Sequence, residues 1–199
     1  MMRFRQPSPA DLPALYRVCL QTGDAGSDAT ARHDDPDLLG HHWAGPQAVH
    51  DPAMREVDED DAGVVGYLVG VASTSDFEEW CEGEWWPARR ERYRLGVERR
   101  EADAELVRSI HRPDRTPPTI TGPFPAHFHV NLQPRTQGQG IGRMLIERLL
   151  ERLEQRGATG VHLGVDASNA RAMGFYRHLG LTEVAVEDDG GLILGQRLG

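Results

Sequence analysis

The run Gln137-Gly138-Gln139-Gly140-Ile141-Gly142 is the stretch whose composition most directly implies chemistry. Alternating glycines let a backbone turn tightly and aim several N–H groups at one point. A 3.6-residue apolar repeat follows at once in Ile141, Leu145, Leu149 and Leu153, so a helix N-terminus adds its dipole there. The segment reads as an anion cradle, most naturally for a pyrophosphate. All 22 basic residues are arginines. Without a lysine there is no P-loop, which needs its Gly-Lys-Ser/Thr lysine on the phosphates, and no lysine Schiff base.

Two ligand classes then remain for the cradle, dinucleotides and acyl-CoA thioesters. Dinucleotide sites place the glycine turn in the first β-α-β unit and an acidic residue after the next strand. Asp166 after Val165 meets the second condition, but the loop lies two-thirds along the chain. Too little sequence follows for a doubly wound sheet. Downstream, Asn169 stands where a helix would be capped, and Tyr176 lies within that helix. Upstream, His127 and His129 alternate on a strand, which puts both on one face and Phe128, Val130 and Leu132 on the other. A neutral imidazole accepts an amine proton, so His129 is a candidate general base, with Asp166 and the acids between Asp24 and Asp35 as rivals. Those acids alternatively recognise a cationic acceptor. A metal pair at the two histidines lacks a third ligand nearby in sequence.

The elements that must position these residues are regular in the last third of the chain. A strand at His127 to Leu132 is followed by the glycine loop, a helix from about Gly140 to Gln155, a strand Val161 to Val165 and a helix Asn169 to Leu179. A hairpin of Val184, Val186, Leu192 and Leu194 around Asp188-Asp189-Gly190-Gly191 closes the chain. Near the start, Ser8 and Pro9 open a helix whose buried stripe is Leu12, Leu15, Tyr16 and Cys19. Thr22 to Asp37 reads as a long loop. A hairpin follows from Met54 through the acidic turn Asp58 to Asp61 into Val64 to Val71. Residues 76–118, with Phe77, Trp80, Trp85, Trp86 and nine arginines between Arg89 and Arg115, read as an insertion of one or two helices. The interleaved glutamates make that stretch a solvated helix face rather than a nucleic-acid surface.

The formal charge of −9 gives an acidic average surface that disfavours nucleic acid and favours cationic or amine-bearing partners. The longest apolar stretch, Ala62 to Ala72, is about half the roughly 20 residues of a membrane helix. Cys19 and Cys81 lie far apart, and MMRFRQPSPADL is no secretory leader. The expectation is one cytoplasmic domain over residues 1–199, without a membrane partner.

The segments VNLQPRTQGQGIGRMLIERLL and VHLGVDASNARAMGFYRHLGL resemble the acetyl-CoA core of the GNAT superfamily of N-acetyltransferases. Gln137, Gly140 and Gly142 meet its glycine pattern, and Asn169, Phe175, Tyr176, Leu179 and Gly180 its later motif, over roughly residues 126–182. Further likeness in YRVCLQTGDAGSDAT, DLLGHHWAGP and VVGYLVGVASTSDFEEWCEGEWWP is to the acetyltransferase-like domain at the C-terminus of animal O-GlcNAcase and its stand-alone bacterial relatives. The glycoside-hydrolase part has no counterpart here. The animal domain also lacks a regular glycine loop, which this chain keeps.

The resemblance implies an α/β (α+β) GNAT fold, a mixed central sheet with a splayed strand pair, flanked by helices and carrying the helical insertion. It implies acetyl-CoA as cosubstrate and no metal. Backbone groups near Val130 and Leu132 would pair with the pantetheine arm. Gly138, Gly140, Gly142 and the adjoining amides of Gln139 and Ile141 would hold the pyrophosphate, with Gln137 closing the loop and Arg143 adding charge. Asn169 would bond the pantetheine arm, and Tyr176 would protonate the departing thiolate. The implied reaction is direct acetyl transfer to a primary amine in a ternary complex. The acceptor stays open among peptide or protein lysines, amino sugars, polyamines and antibiotics, and a homodimer stays open too. A rival reading is a module that holds acetyl-CoA but is catalytically idle and serves protein interaction.

Overall fold

The structure, a computed structural model, describes residues 2–187 and 190–199. Asp188 and Asp189, at the tip of the expected terminal hairpin, lie outside the described residues.

The strands β1 (Arg3–Arg5), β2 (Arg55–Asp60), β3 (Gly63–Val71), β4 (Ala126–Leu132), β5 (Gly160–Val165), β6 (Thr182–Val186) and β7 (Leu192–Arg197) form one sheet ordered β1-β2-β3-β4-β5-β7-β6. All neighbouring pairs are antiparallel except β4 and β5. Those two pair only at Ala126 with Val161 and His127 with His162, and then diverge. The sheet is therefore mixed and splayed.

Alternation along the strands sorts the core into layers. Leu68, Phe128, Val161 and Leu163 face α8 (Ile141–Gln155) and α9 (Ala170–His178), meeting Leu145, Leu149, Leu153 and Met173. Val57, Tyr67 and Val69 face the other way, against Leu15, Tyr16 and Cys19 of α1 (Leu12–Gln21) and Leu39 of α2 (Leu38–Trp43). The start of α1 is fixed as its sequence suggests. Asp11 takes the Ser8 N–H at 2.7 Å, and Arg5 grips the same carboxylate with both terminal nitrogens at 2.8 and 2.9 Å.

Two regions depart from the sequence reading. The stretch after the long loop, to which the sequence reading assigned no element, holds α2 followed by α3 (Gly45–His50). Both pack tightly on Tyr16 and Trp85, since a Cβ on Gly45 would lie 2.4 Å from the Tyr16 hydroxyl and 2.8 Å from the Trp85 ring. The insertion holds four helices rather than one or two: α4 (Thr74–Trp80), α5 (Trp86–Arg92), α6 (Glu101–His111) and α7 (Pro118–Thr121), with a π-helical turn Cys81–Trp85 joining the first pair. They share a small core of Phe77, Cys81, Trp85, Trp86, Tyr93, Val107 and Ile110, sealed onto Leu38 and Val71. Two of the insertion's three tryptophans, Trp85 and Trp86, are buried in this core, and Trp80 packs against it. Among the described residues no helix is long and apolar enough to cross a membrane.

Asp58 is fully buried on β2, and neither carboxylate oxygen has a hydrogen-bond partner among the described residues. Burial, reinforced by the charges of Asp60 and Glu59, pushes its carboxyl up to about 6. A folded-state value above the ordinary one means the fold favours the protonated acid, and this contribution is lost as pH rises through about 6. Asp58→Asn should therefore raise Tm at pH 8 by about 3–6 °C, with the gain shrinking below pH 6 and vanishing towards about pH 4, in thermal melts across that range.

Candidate functional site

Divergence of β4 from β5 leaves a row of backbone groups facing a gap. Gln133 N–H donates to Val65 O at 2.9 Å, which fixes the odd-numbered residues of β4 as those directed at β3. Val130 and Leu132 therefore turn their N–H and C=O groups to the opposite edge, where β5 has already left. Leu132 O is taken by Gln137 Nε2 at 2.7 Å, which closes the loop onto the strand end.

The loop itself depends on left-handed backbone. Gly138 has φ +76° and Gly140, the residue before α8, has φ +79°; a Cβ on either would project into open space. That combination leaves room for a ligand against the N–H groups at the start of a 15-residue helix. Gly142 has a different reason. Its Cβ would come within 3.1 Å of Phe175 and 3.2 Å of Leu132, so its absence lets α8, α9 and β4 meet at this corner.

Gap and loop belong to one open groove of about 1910 Å³, larger than the roughly 300–1,000 Å³ of a single small-molecule pocket. Val130, Leu132, Gln137, Gly138, Gly140, Ile141, Gly142, Arg143, Asp166, Asn169, Tyr176 and His129 all line it. Gln139 does not, for its side chain donates back to Arg135 O at 2.9 Å. Ile141 is buried, and its side chain belongs to the core. Arg143 is exposed at the rim and donates to Glu147 one helical turn on, at 2.7 Å. Asn169 caps α9, its Oδ1 accepting from Ala172 N at 3.0 Å while its Nδ2 stays available.

Tyr176 stands edge-on to Phe128, ring centroids 6.4 Å apart, and burial pushes its phenol up. Its hydroxyl is therefore held protonated at neutral pH. His129 lies on the other face of β4. Its Nδ1 is 3.2 Å from Trp43 O and 3.3 Å from the Tyr67 hydroxyl. A carbonyl only accepts, so Nδ1 carries the hydrogen and Nε2 keeps a lone pair. Burial pulls this imidazole down to about 4 and holds it neutral. Asp166 is exposed, and its carboxyl is kept low by hydrogen bonds from Ser168, the backbone one at 2.8 Å.

The acids of the long loop are engaged, which corrects their reading as an acceptor-recognition patch. Asp24 pairs with Arg32, Asp34 with Arg100 at 2.6 Å and Asp35 with Arg92 at 3.0 Å, while Asp28 accepts from Thr30 N. The insertion arginines hold this loop. Residues the sequence reading passed over line the groove instead: His42, Trp43 and Gln47 from α2 and α3, and Thr74 at the start of α4. Gly40 and Gly45 bracketing His41-His42-Trp43 were the available signal, because paired small residues mark helices in close contact.

A sheet that opens beside a left-handed glycine loop at a helix N-terminus defines an acyl-thioester-binding transferase. The sequence matches the model of the acetyltransferase (GNAT) family over residues 29–181, and the chain belongs to that family. The crystal structure of SsHAT superposes with a TM-score of 0.90 at 34% identity, covering 98% of each chain. Protein O-GlcNAcase of Rattus norvegicus is 25% identical over 180 residues, 89% of this chain but 20% of that protein, so the chain spans about a fifth of its length. The [ribosomal protein bS18]-alanine N-acetyltransferase of Escherichia coli K12 is 42% identical over 59 residues, 30% of this chain and 40% of that enzyme. Members of the family are acyltransferases that use acetyl-CoA, and the groove has the unpaired strand edge and anion cradle that such a ligand needs.

Gly140→Val should weaken acetyl-CoA binding by more than about tenfold in isothermal titration, because a β-branched residue cannot hold φ near +79° without strain. Gly140→Asn, which tolerates that region, should lose less.

Proposed function

We propose that this chain transfers an acetyl group from acetyl-CoA directly to a primary amine, with His129 as base and Tyr176 as acid. The observation that carries this is the strand gap itself. Beside it, Tyr176 and His129 line one groove from opposite faces of β4, a phenol on one side and an imidazole lone pair on the other. Acetyl-CoA, when bound, supplies an activated thioester carbonyl.

Holding and orienting fall to the backbone. Val130 N–H and C=O and Leu132 N–H offer an added-strand edge to an amide-bearing arm. Gly138, Gly140 and the first N–H groups of α8 offer an electropositive seat for phosphates, with Arg143 at the rim. Asn169 Nδ2 is placed to donate to the same arm. His129 Nε2 takes a proton from the attacking amine, and Tyr176 Oη gives one to the departing sulfur. Asp166, tied to Ser168 and exposed, is a weaker rival for the base role.

Direct transfer is favoured over a covalent relay through cysteine. Cys19 and Cys81 are both buried, and burial pushes each thiol up to about 12, which leaves no thiolate at neutral pH.

Two outcomes check this reading. Tyr176→Phe and His129→Gln should each lower kcat by about 10²-fold in CoA-release assays with a primary-amine panel, while acetyl-CoA affinity stays unchanged. Retention of full turnover would remove the residue from the mechanism. The pH dependence separates the base from the substrate. His129 is unprotonated at every pH above about 4, so the acidic limb of kcat/KM should follow the acceptor's own amine, moving when the acceptor is changed. A fixed break near pH 6.5 for all acceptors would contradict the assignment.

A further inference from the structure

Beyond His129, the groove wall carries two buried polar atoms with no hydrogen-bond partner among the described residues, Gln47 Oε1 and His42 Nδ1. Acceptor-only neighbours fix the orientation around the first. Pro125 O takes the single Thr74 hydroxyl proton at 2.8 Å, so Thr74 Oγ1 must accept from His127 Nδ1–H at 2.9 Å. His127 Nε2 is then a lone pair, and Gln47 Nε2 is the group that faces it at 3.5 Å. What remains is the Gln47 carbonyl oxygen, on a residue only 6% exposed. His42 is oriented by Ser109 Oγ at its Nε2, 2.9 Å away, and by the edge of Trp43, ring centroids 4.4 Å apart. Buried polar atoms are nearly always paired. Two unpaired ones in the wall of a groove mark where a ligand's own hydrogen-bonding groups belong.

The inner wall of this end disfavours a cation. Glu78 accepts from Thr116 N and Oγ1 at 2.9 and 2.7 Å and lies 3.7 Å from Arg115. Glu105 and Asp114 stand at the rim, where they also border a smaller cleft with Arg108 and Arg112. The interior surface is imidazole, amide, hydroxyl and aromatic ring, and the burial that keeps His42, His127 and His129 neutral would equally disfavour an ammonium ion. Lysine-type amines, with pKa about 10.4, arrive protonated at neutral pH. An amine flanked by hydroxyl-bearing carbons is a weaker base and arrives with a much larger fraction as the free nucleophile. Trp43, 46% exposed and 6.2 Å from the His129 ring, adds an aromatic platform beside the same spot.

We propose that the acceptor is an amino sugar, a primary amine on an uncharged hydroxylated ring whose hydroxyls pair with Gln47 Oε1 and His42 Nδ1 and whose apolar face lies on Trp43. The proposal rests on the acetyltransferase reading above. A peptide α-amine is also weakly basic, but an extended peptide is held mainly through main-chain hydrogen bonds. The unpaired atoms here are side-chain ends from α2 and α3, which suit the scattered hydroxyls of a compact ring.

The test compares D-glucosamine, spermidine, a lysyl tetrapeptide and an alanyl tetrapeptide in CoA-release assays at neutral pH, with tryptophan fluorescence quenching as a binding readout. Expected are a kcat/KM for glucosamine at least about tenfold above the others, and a KM for it raised about tenfold by Gln47→Met with acetyl-CoA affinity intact. Trp43→Ala, at an exposed position that the core does not need, should weaken glucosamine similarly and lose the quenching. Preference for spermidine or either peptide overturns the amino-sugar assignment and leaves the acetyltransferase reading standing. Saturable glucosamine binding with no CoA release from any amine overturns the acetyltransferase reading and leaves glucosamine a ligand of the groove, not an acceptor. An unchanged glucosamine KM in both variants removes Gln47 and Trp43 from the site and overturns the proposal.

Discussion

Everything proposed for this molecule depends on where two parallel strands part. Strands β4 and β5 hold together for two residue pairs, and the last pair is made of histidines, His127 and His162, with ring centroids 5.7 Å apart. Each ring is pinned on its outer side, His127 by Thr74 and His162 by Phe124 O at 2.8 Å. Burial pulls both imidazoles down, His127 to about 3, so the vertex is uncharged and can be packed tightly. Past it, β4 has a partner on one edge only. An unpaired strand edge inside a protein is costly unless something hydrogen-bonds to it, and a ligand with amide groups is the economical solution.

The same vertex explains why an insertion so unlike the rest of the chain belongs to the fold. Thr74, its first helical residue, donates to Pro125 O through both its backbone N–H and its hydroxyl, at 2.7 and 2.8 Å. The four insertion helices thus grow from the hinge of the split. They also reach across it, because Arg92 and Arg100 hold Asp35 and Asp34 of the long loop. Surface pairs of this kind are individually weak. Asp103, buried on α6, adds a firmer link by accepting from His33 Nδ1 at 2.7 Å and from Asp34 N at 2.9 Å. The acidity that looked like bait for a cationic substrate is mostly the fastening of one lid-like segment to another.

The two ends of the groove consequently differ in character. One end is built from backbone N–H groups, glycines and Arg143, and offers positive potential. The other is built from side chains of α2, α3 and the insertion, with imidazole, amide and aromatic groups on its inner wall and Glu78, Glu105, Asp114 and Arg115 in the insertion part of its lining. A thioester held between them would have phosphate on one side and an acceptor end with neutral imidazole, amide and aromatic groups on its inner wall on the other. Neutral histidines suit that end twice, since they neither repel an incoming amine nor stabilise it as an ammonium ion.

The local part of the site was legible along the chain. A glycine loop, the helix that follows it and the cap at Asn169 are contiguous along the chain, and their geometry is set by φ preferences, hydrophobic period and capping within a few residues. Tyr176 and the shared face of His127 and His129 were legible for the same reason, as positions on one helix and one strand. What the tertiary structure decided is everything that joins distant segments. Gln47, His42 and Trp43 became groove residues only because Gly40 and Gly45 let α2 and α3 close on Tyr16 and Trp85. Asp166, plausible in sequence, proved exposed and bound to its own turn. Asp34 and Asp35 are tied up because Arg100 and Arg92, 66 and 57 residues along the chain, folded onto them. A side chain's pairing partner and its burial are properties of three-dimensional neighbours, and those set whether a carboxylate or an imidazole is free to act.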